Sequence, residues 1–140
     1  MTFEDLPDDW PSRPLTEPRL VADVLDLLVT ESDRRTGALH FVLCDRSFRL
    51  LQPCAVDDIA SIASDERVSI IGVFVEALRR QDEEGSLIVA VARPGGLSCT
   101  PADEAWRHAA ELACAGRINL LGVHVVTPDG SRPVPRKVAA

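Results

Sequence analysis

Apolar and polar positions alternate along this chain in two periods, and the changes of period mark its elements. Leu20, Val21, Val24, Leu27 and Leu28 recur at i, i+1, i+4, i+7 and i+8 behind Pro18, which predicts an amphipathic helix over 18–35 with Asp23, Asp26 and Glu31 on its solvated side. Gly37 ends it. ALHFVLC and FRLLQPCAV then flank the short polar stretch Asp45-Arg46-Ser47, the pattern of a β-hairpin. A turn at Arg46-Ser47 would set Cys44 opposite Arg49, so no Cys44–Cys54 disulfide is expected. His40, among apolar neighbours, reads as a structural histidine. Between 57 and 81, β-branched residues favour strand, but Val68, Ile71, Phe74, Val75 and Leu78 fall at helical spacing and Arg79 and Arg80 suit a helix C-terminus. A helix is expected, weakened by Gly72.

The run Leu87 to Val91 predicts a buried strand stopped by Pro94-Gly95-Gly96. Thr100-Pro101-Ala102-Asp103 then carries a helix N-cap, a first-turn proline and a carboxylate three residues after the cap, which together predict a capping box. That helix extends to about Ala115, with Ala102, Ala105, Trp106, Ala109, Leu112 and Ala113 on its buried face and Gly116 as its stop. A strand over 120–127, a Pro128-Asp129-Gly130 turn and a short edge strand or loose tail follow. The expected class is α/β (α+β): a central mixed sheet with an N-terminal hairpin, flanked by about three helices. The domain is expected over 18–132, with a proline-rich acidic arm over 1–17 and a flexible tail over 133–140. The arm reads either as a disordered leader or as a segment that packs Trp10 on this domain or a partner.

Composition narrows the functions. The 140 residues suit one domain. No apolar run reaches the roughly 20 residues of a membrane span, and the N-terminus is acidic without a signal segment, so a cytoplasmic protein is expected. A net charge of −7 opposes phosphate backbones and argues against nucleic-acid binding on electrostatic grounds. Cys44, Cys54, Cys99 and Cys114 form no Cys-x-x-Cys pair and read as free thiols.

The strand that ends in Val91-Ala92-Arg93-Pro94-Gly95-Gly96, the helix start Thr100-Pro101-Ala102-Asp103 and the following Ala115-Gly116-Arg117-Ile118-Asn119-Leu120-Leu121-Gly122 resemble the RadC-like branch of the JAB/MPN metal-hydrolase superfamily. The resemblance covers about 38–132. In that family the strand ends in His-x-His-Pro-x-Gly and the helix opens with Ser-x-x-Asp, which implies two histidines and an aspartate holding a zinc ion whose fourth ligand is water. Here Val91 and Arg93 stand at the two histidine positions, and Asp103 alone keeps its identity. Valine cannot ligate a metal, and a permanently charged guanidinium repels one. Asp57 and Asp58 are the nearest counterparts of the family's general base.

The resemblance therefore implies a domain without metal, cofactor or catalysis that serves protein–protein interaction or scaffolding, by a protein partner or by pairing with itself. Its binding residues would be Arg93, Gly95, Gly96, Thr100 and Asp103, with Arg93 replacing the metal by pairing with Asp103 or by offering its charge to a carboxylate. Two other readings stay open. The loop and helix N-terminus suit a small anion or nucleotide, and Cys99, one residue before the cap, is placed for a nucleophile whose thiol the helix dipole would acidify, as in a hydrolase without zinc.

Overall fold

A computed structural model describes residues 6–135. Five strands form one mixed sheet in the order β2-β1-β3-β4-β5. They are β1 (Ala38–Cys44), β2 (Leu50–Asp57), β3 (Ser86–Ala92), β4 (Asn119–Thr127) and β5 (Gly130–Pro133). β1 pairs antiparallel with both β2 and β3, β3 and β4 run parallel, and β5 closes antiparallel on β4. Every residue of β1 and β3 is buried, as central strands covered on both faces require.

Four helices cover the two faces: α1 (Pro18–Leu28), α2 (Glu31–Thr36), α3 (Arg67–Gln81) and α4 (Pro101–Cys114). Odd positions of β1 and β3, such as Phe41 and Val89, join Ile71, Val75 and Leu78 of α3 and Trp106, Ala109 and Ala110 of α4 in one core. Even positions, such as Val42 and Ala90, meet Leu20, Val21, Val24 and Leu25 of α1 in the other. Helix–sheet–helix layering follows from the period-2 pleat read against helical stripes. Across the first core the ring of Phe41 stacks on Phe74 at 4.1 Å, and the Arg67 guanidinium lies 5.2 Å from the Trp106 ring.

Four expectations are corrected. The single helix over 18–35 is two helices, because Thr30 leaves the helical conformation and caps a new one by accepting a hydrogen bond from the Asp33 N–H at 3.1 Å. Four helices thus replace about three. The buried stripe of α1 includes Leu25 and Asp23, while Leu27 is exposed; Pro7, Arg13, Pro14, Thr16 and Glu17 share a hollow with Asp23, which was expected to be solvated. In the hairpin, Asp45 Oδ1 accepts the N–H groups of Ser47 and Arg49, and Phe48 takes a left-handed φ of +65°. The wider turn shifts the register at its end, so Cys44 faces Leu50 rather than Arg49. On α4 the buried face holds Asp103, Trp106, Ala109, Ala110, Ala113 and Cys114, while Ala102 and Leu112 are exposed.

The His40 Nε2–H donates to Asp33 Oδ2 of α2 at 2.8 Å and ties that helix to β1. The expected arm is described from residue 6: Trp10–Ser12 form a 3-10 turn, Leu15 is buried in the α1-side core, and Leu6 and Trp10 pack against that core. At the other end Val134 is buried, whereas residues 136–140 lie outside the described part of the chain. All four cysteines are free. Burial, then Asp45, pushes the Cys44 thiol up to about 12, and burial raises Cys114 to about 11. Among the described residues no helix is long and apolar enough to cross a membrane.

Candidate functional site

The site expected from the sequence lies where β3 runs into α4. Arg93 leaves the sheet with its N–H still donating to Val126 O at 3.0 Å, which fixes where its side chain begins. The loop 94–99 then circles back over the guanidinium. Gly95 adopts φ +94°, a conformation that favours glycine, and a Cβ there would stand 3.5 Å from Arg93 Nη1. Thr100 caps α4: its Oγ1 accepts from the Asp103 N–H at 3.1 Å, and Asp103 Oδ2 accepts from the Thr100 N–H at 3.0 Å. This is the capping box expected from Thr100-Pro101-Ala102-Asp103.

Inside the loop, Arg93 Nε donates to Asp103 Oδ1 at 2.9 Å and Nη2 donates to Oδ2 at 2.8 Å, a bidentate pair. Nη1 donates to Pro94 O at 3.0 Å and Gly96 O at 2.9 Å, and Nη2 also to Ser98 O at 3.0 Å. A guanidinium has five N–H donors, and these five bonds use them all. Asp103 is 0 % exposed and the Arg93 side chain 16 %, so the pair is made in a largely dehydrated setting. Burial alone would raise the Asp103 carboxyl, but the Arg93 hydrogen bonds, the Thr100 N–H and the Arg93 charge outweigh it and hold the carboxyl below its ordinary value.

The structure thus brings Arg93, Gly95, Gly96, Thr100 and Asp103 together. Of the two roles considered for Arg93, pairing with Asp103 is the one seen. The residues do not fit a zinc ion: Val91 is buried in the apolar core, Arg93 occupies the Asp103 carboxylate, and both Asp103 oxygens already accept N–H groups. Among the described residues no group of three His, Cys, Asp or Glu side chains could hold a metal. Anion binding fits poorly as well, since an anion would have to displace Asp103 or the loop carbonyls from the guanidinium.

Cys99 is exposed at the lip of the loop, but its thiol is shifted the wrong way for a nucleophile. Desolvation, then the carboxylates of Asp103 and Glu104, raise it, and Arg132 and Arg93 only partly compensate. That direction is opposite to the acidified thiol expected, with desolvation as its first cause and the first-turn carboxylates of α4 as its second. Alkylation of Cys99 by iodoacetamide at pH 7 is accordingly expected to be no faster than that of an unstructured cysteine peptide; a rate about tenfold faster would mark an activated thiol.

Two grooves were not legible in the sequence. One runs between α3 and α4, has a volume of about 690 Å³ and is lined by Val68, Gly72, Val73, Glu76, Arg80 and Leu112, among others. The other, about 380 Å³, lies beside β4 and includes Arg107 and His124. Neither is lined by Arg93, Thr100 or Asp103. Their one sequence signal is apolar residues off the main stripe, Val73 above all. The sequence matches no protein-family model and no curated protein.

Proposed function

We propose that this is a non-catalytic JAB/MPN-like domain of the RadC type that works by protein–protein interaction or scaffolding. The observation that carries the reading is the closed Arg93–Asp103 pair. A cradle whose cation and carboxylate satisfy each other, and whose Pro94, Gly96 and Ser98 carbonyls also accept from that cation, offers neither charge to a substrate. Loss of ligands leaves the scaffold, and the surface then has to carry the function.

The surface that suits interaction is the α3/α4 groove. Val73 is 65 % and Leu112 55 % exposed there, and Val68 stands at its edge. Gly72 leaves open space in the middle of α3, so another helix can approach closely. Glu76, Arg80 and Arg117 line the groove and give it both charge signs, with Glu76 also pairing within the chain to Arg79 at 3.3 Å and Arg117 at 3.7 Å. A two-fold interface needs such self-complementarity, because the same patch supplies both sides. The partner we assign is therefore a second copy of this chain, each Glu76 set against the partner's Arg80.

Sedimentation velocity over a concentration series tests this. The wild type is expected to pass from monomer to dimer, and Gly72→Glu, which places a charged side chain in open space without straining the helix, is expected to stay monomeric with thermal stability no lower than wild type. A wild type that remains monomeric throughout, or a variant that dimerises equally well, would contradict this interface.

A further inference from the structure

The groove beside β4 originates in an interruption of strand pairing. β5 pairs β4 only over 124–127, and one further bond, from the Val134 N–H to Val123 O at 2.7 Å, ends the ladder. On the other side of β4 the register to β3 slips between Leu87 and Ile88, so Leu121 has no opposite residue there. Such a bulge re-aims the strand locally. Gly122 follows, and a Cβ there would stand 3.2 Å from His124 Nε2. The result is an opening walled by apolar side chains that include Leu15, Val21, Ile88 and Leu121.

Besides the hydroxyl of Thr16, two polar side chains line it, Arg107 and His124, and they are the only ionisable ones among its described lining residues. Arg107 comes from α4 with its side chain 15 % exposed. Its Nη1 donates to Val134 O at 2.8 Å, but its Nε is buried without a hydrogen-bond partner, and Glu111 Oε1 at 3.9 Å is beyond hydrogen-bond reach. Burial first, and the Arg107 charge second, push His124 down to about 4, so its imidazole is neutral at pH 7. A half-satisfied cation and a neutral imidazole thus share an apolar-walled hollow with no carboxylate lining it. Arg107 pairs with Glu111 only across 3.9 Å, longer than a hydrogen bond, so an anion arriving in the groove would add a charge-assisted hydrogen bond that the Glu111 contact does not supply.

We infer that this groove binds a small organic monocarboxylate with an apolar body, its carboxylate held by Arg107 and His124 and its tail along Leu121 and Ile88. Few convergent polar groups in an otherwise apolar hollow are the usual make-up of a small-ligand site. Apolar walls select against strongly hydrated ions such as phosphate, which would lose more solvation than one cation returns. The inference is independent of self-association, since the α3/α4 groove shares no lining residue with this one.

Titration of ¹⁵N-labelled full-length protein with acetate, butyrate, hexanoate, hexanamide and phosphate, followed by NMR, tests it. Hexanoate is expected to shift Gly122, Val123 and His124, to bind more tightly than acetate, and to raise the pH at which His124 titrates. Hexanamide and phosphate should leave those resonances in place. Arg107→Gln is expected to weaken hexanoate binding about tenfold or more. Because Arg107 also anchors Val134, Leu121→Trp serves as a second variant that fills the hollow and leaves the arginine untouched; it should abolish the shifts. The site would be refuted by hexanoate shifts confined to other residues or absent up to its solubility limit. It would equally be refuted by hexanamide acting as hexanoate does, or by unchanged affinity in Leu121→Trp.

Discussion

Replacing Asp103 with alanine is expected to lower the unfolding free energy by about 3–5 kcal/mol, the usual cost of breaking a buried ion pair from one side. The carboxylate is 0 % exposed and accepts from Arg93 Nε, Arg93 Nη2 and the Thr100 N–H, so its removal leaves three donors without an acceptor and deletes half of the capping box. Urea unfolding at pH 7 measures the loss. The pH dependence has a definite sign. Asp103 titrates below the ordinary carboxylate value in the folded protein, so its contribution is present above the unfolded value and disappears as pH falls through the lowered one. The gap between wild type and Asp103→Ala should therefore narrow in acid. The double variant Arg93→Met/Asp103→Leu should recover part of the loss, since it removes both charges rather than stranding one. A single-variant cost under about 1 kcal/mol would mean that the pair is as weak as an exposed one.

Phe41→Ala is expected to cost about 3–5 kcal/mol as well, but by a different route and with a different pH signature. Phe41 is fully buried at the centre of β1, paired to Val89 of β3 and stacked on Phe74 of α3 at 4.1 Å. Truncation removes apolar burial and leaves a cavity between the sheet and α3 that the central strands cannot collapse to fill. No titrating group is involved in that stack, so the loss should stay nearly constant from pH 7 into the acid range. The two variants together separate what packing contributes from what the ion pair contributes.

How far these features could be read from the sequence depends on how local their causes are. The apolar run of β3 and the Thr100-to-Asp103 cap each rest on a few neighbouring residues, and both appear in the structure. Helix α3 prevailed over its β-branched composition because Ile71, Val75 and Leu78 meet the sheet at helical spacing. The break at Thr30 had a local signal too, since Thr30 and Asp33 stand three apart, but the apolar stripe running up to it concealed it. The register of the hairpin depended on Phe48 accepting a left-handed conformation, which its residue type disfavours. On α4, a buried Asp103 takes a place that patterning assigns to an apolar residue, and Leu112 is exposed.

The polar site itself was partly legible. Arg93 opposite Asp103 follows from strand, loop and cap, whereas the three loop carbonyls that complete the guanidinium depend on how residues 94–99 curl, which no spacing encodes. The two grooves arise between elements distant in the chain, α3 with α4 and β4 with the segment before α1, so periodicity within one element cannot reveal them.

Closure of the cradle by Arg93 and Asp103, in place of metal ligation, is tested most directly by the zinc content of the protein purified without a histidine tag. Mass-spectrometric metal analysis after exposure to equimolar zinc and gel filtration should return far less than one zinc per chain, with Asp103→Asn no different from wild type. One tightly retained zinc per chain that Asp103→Asn abolishes would contradict it.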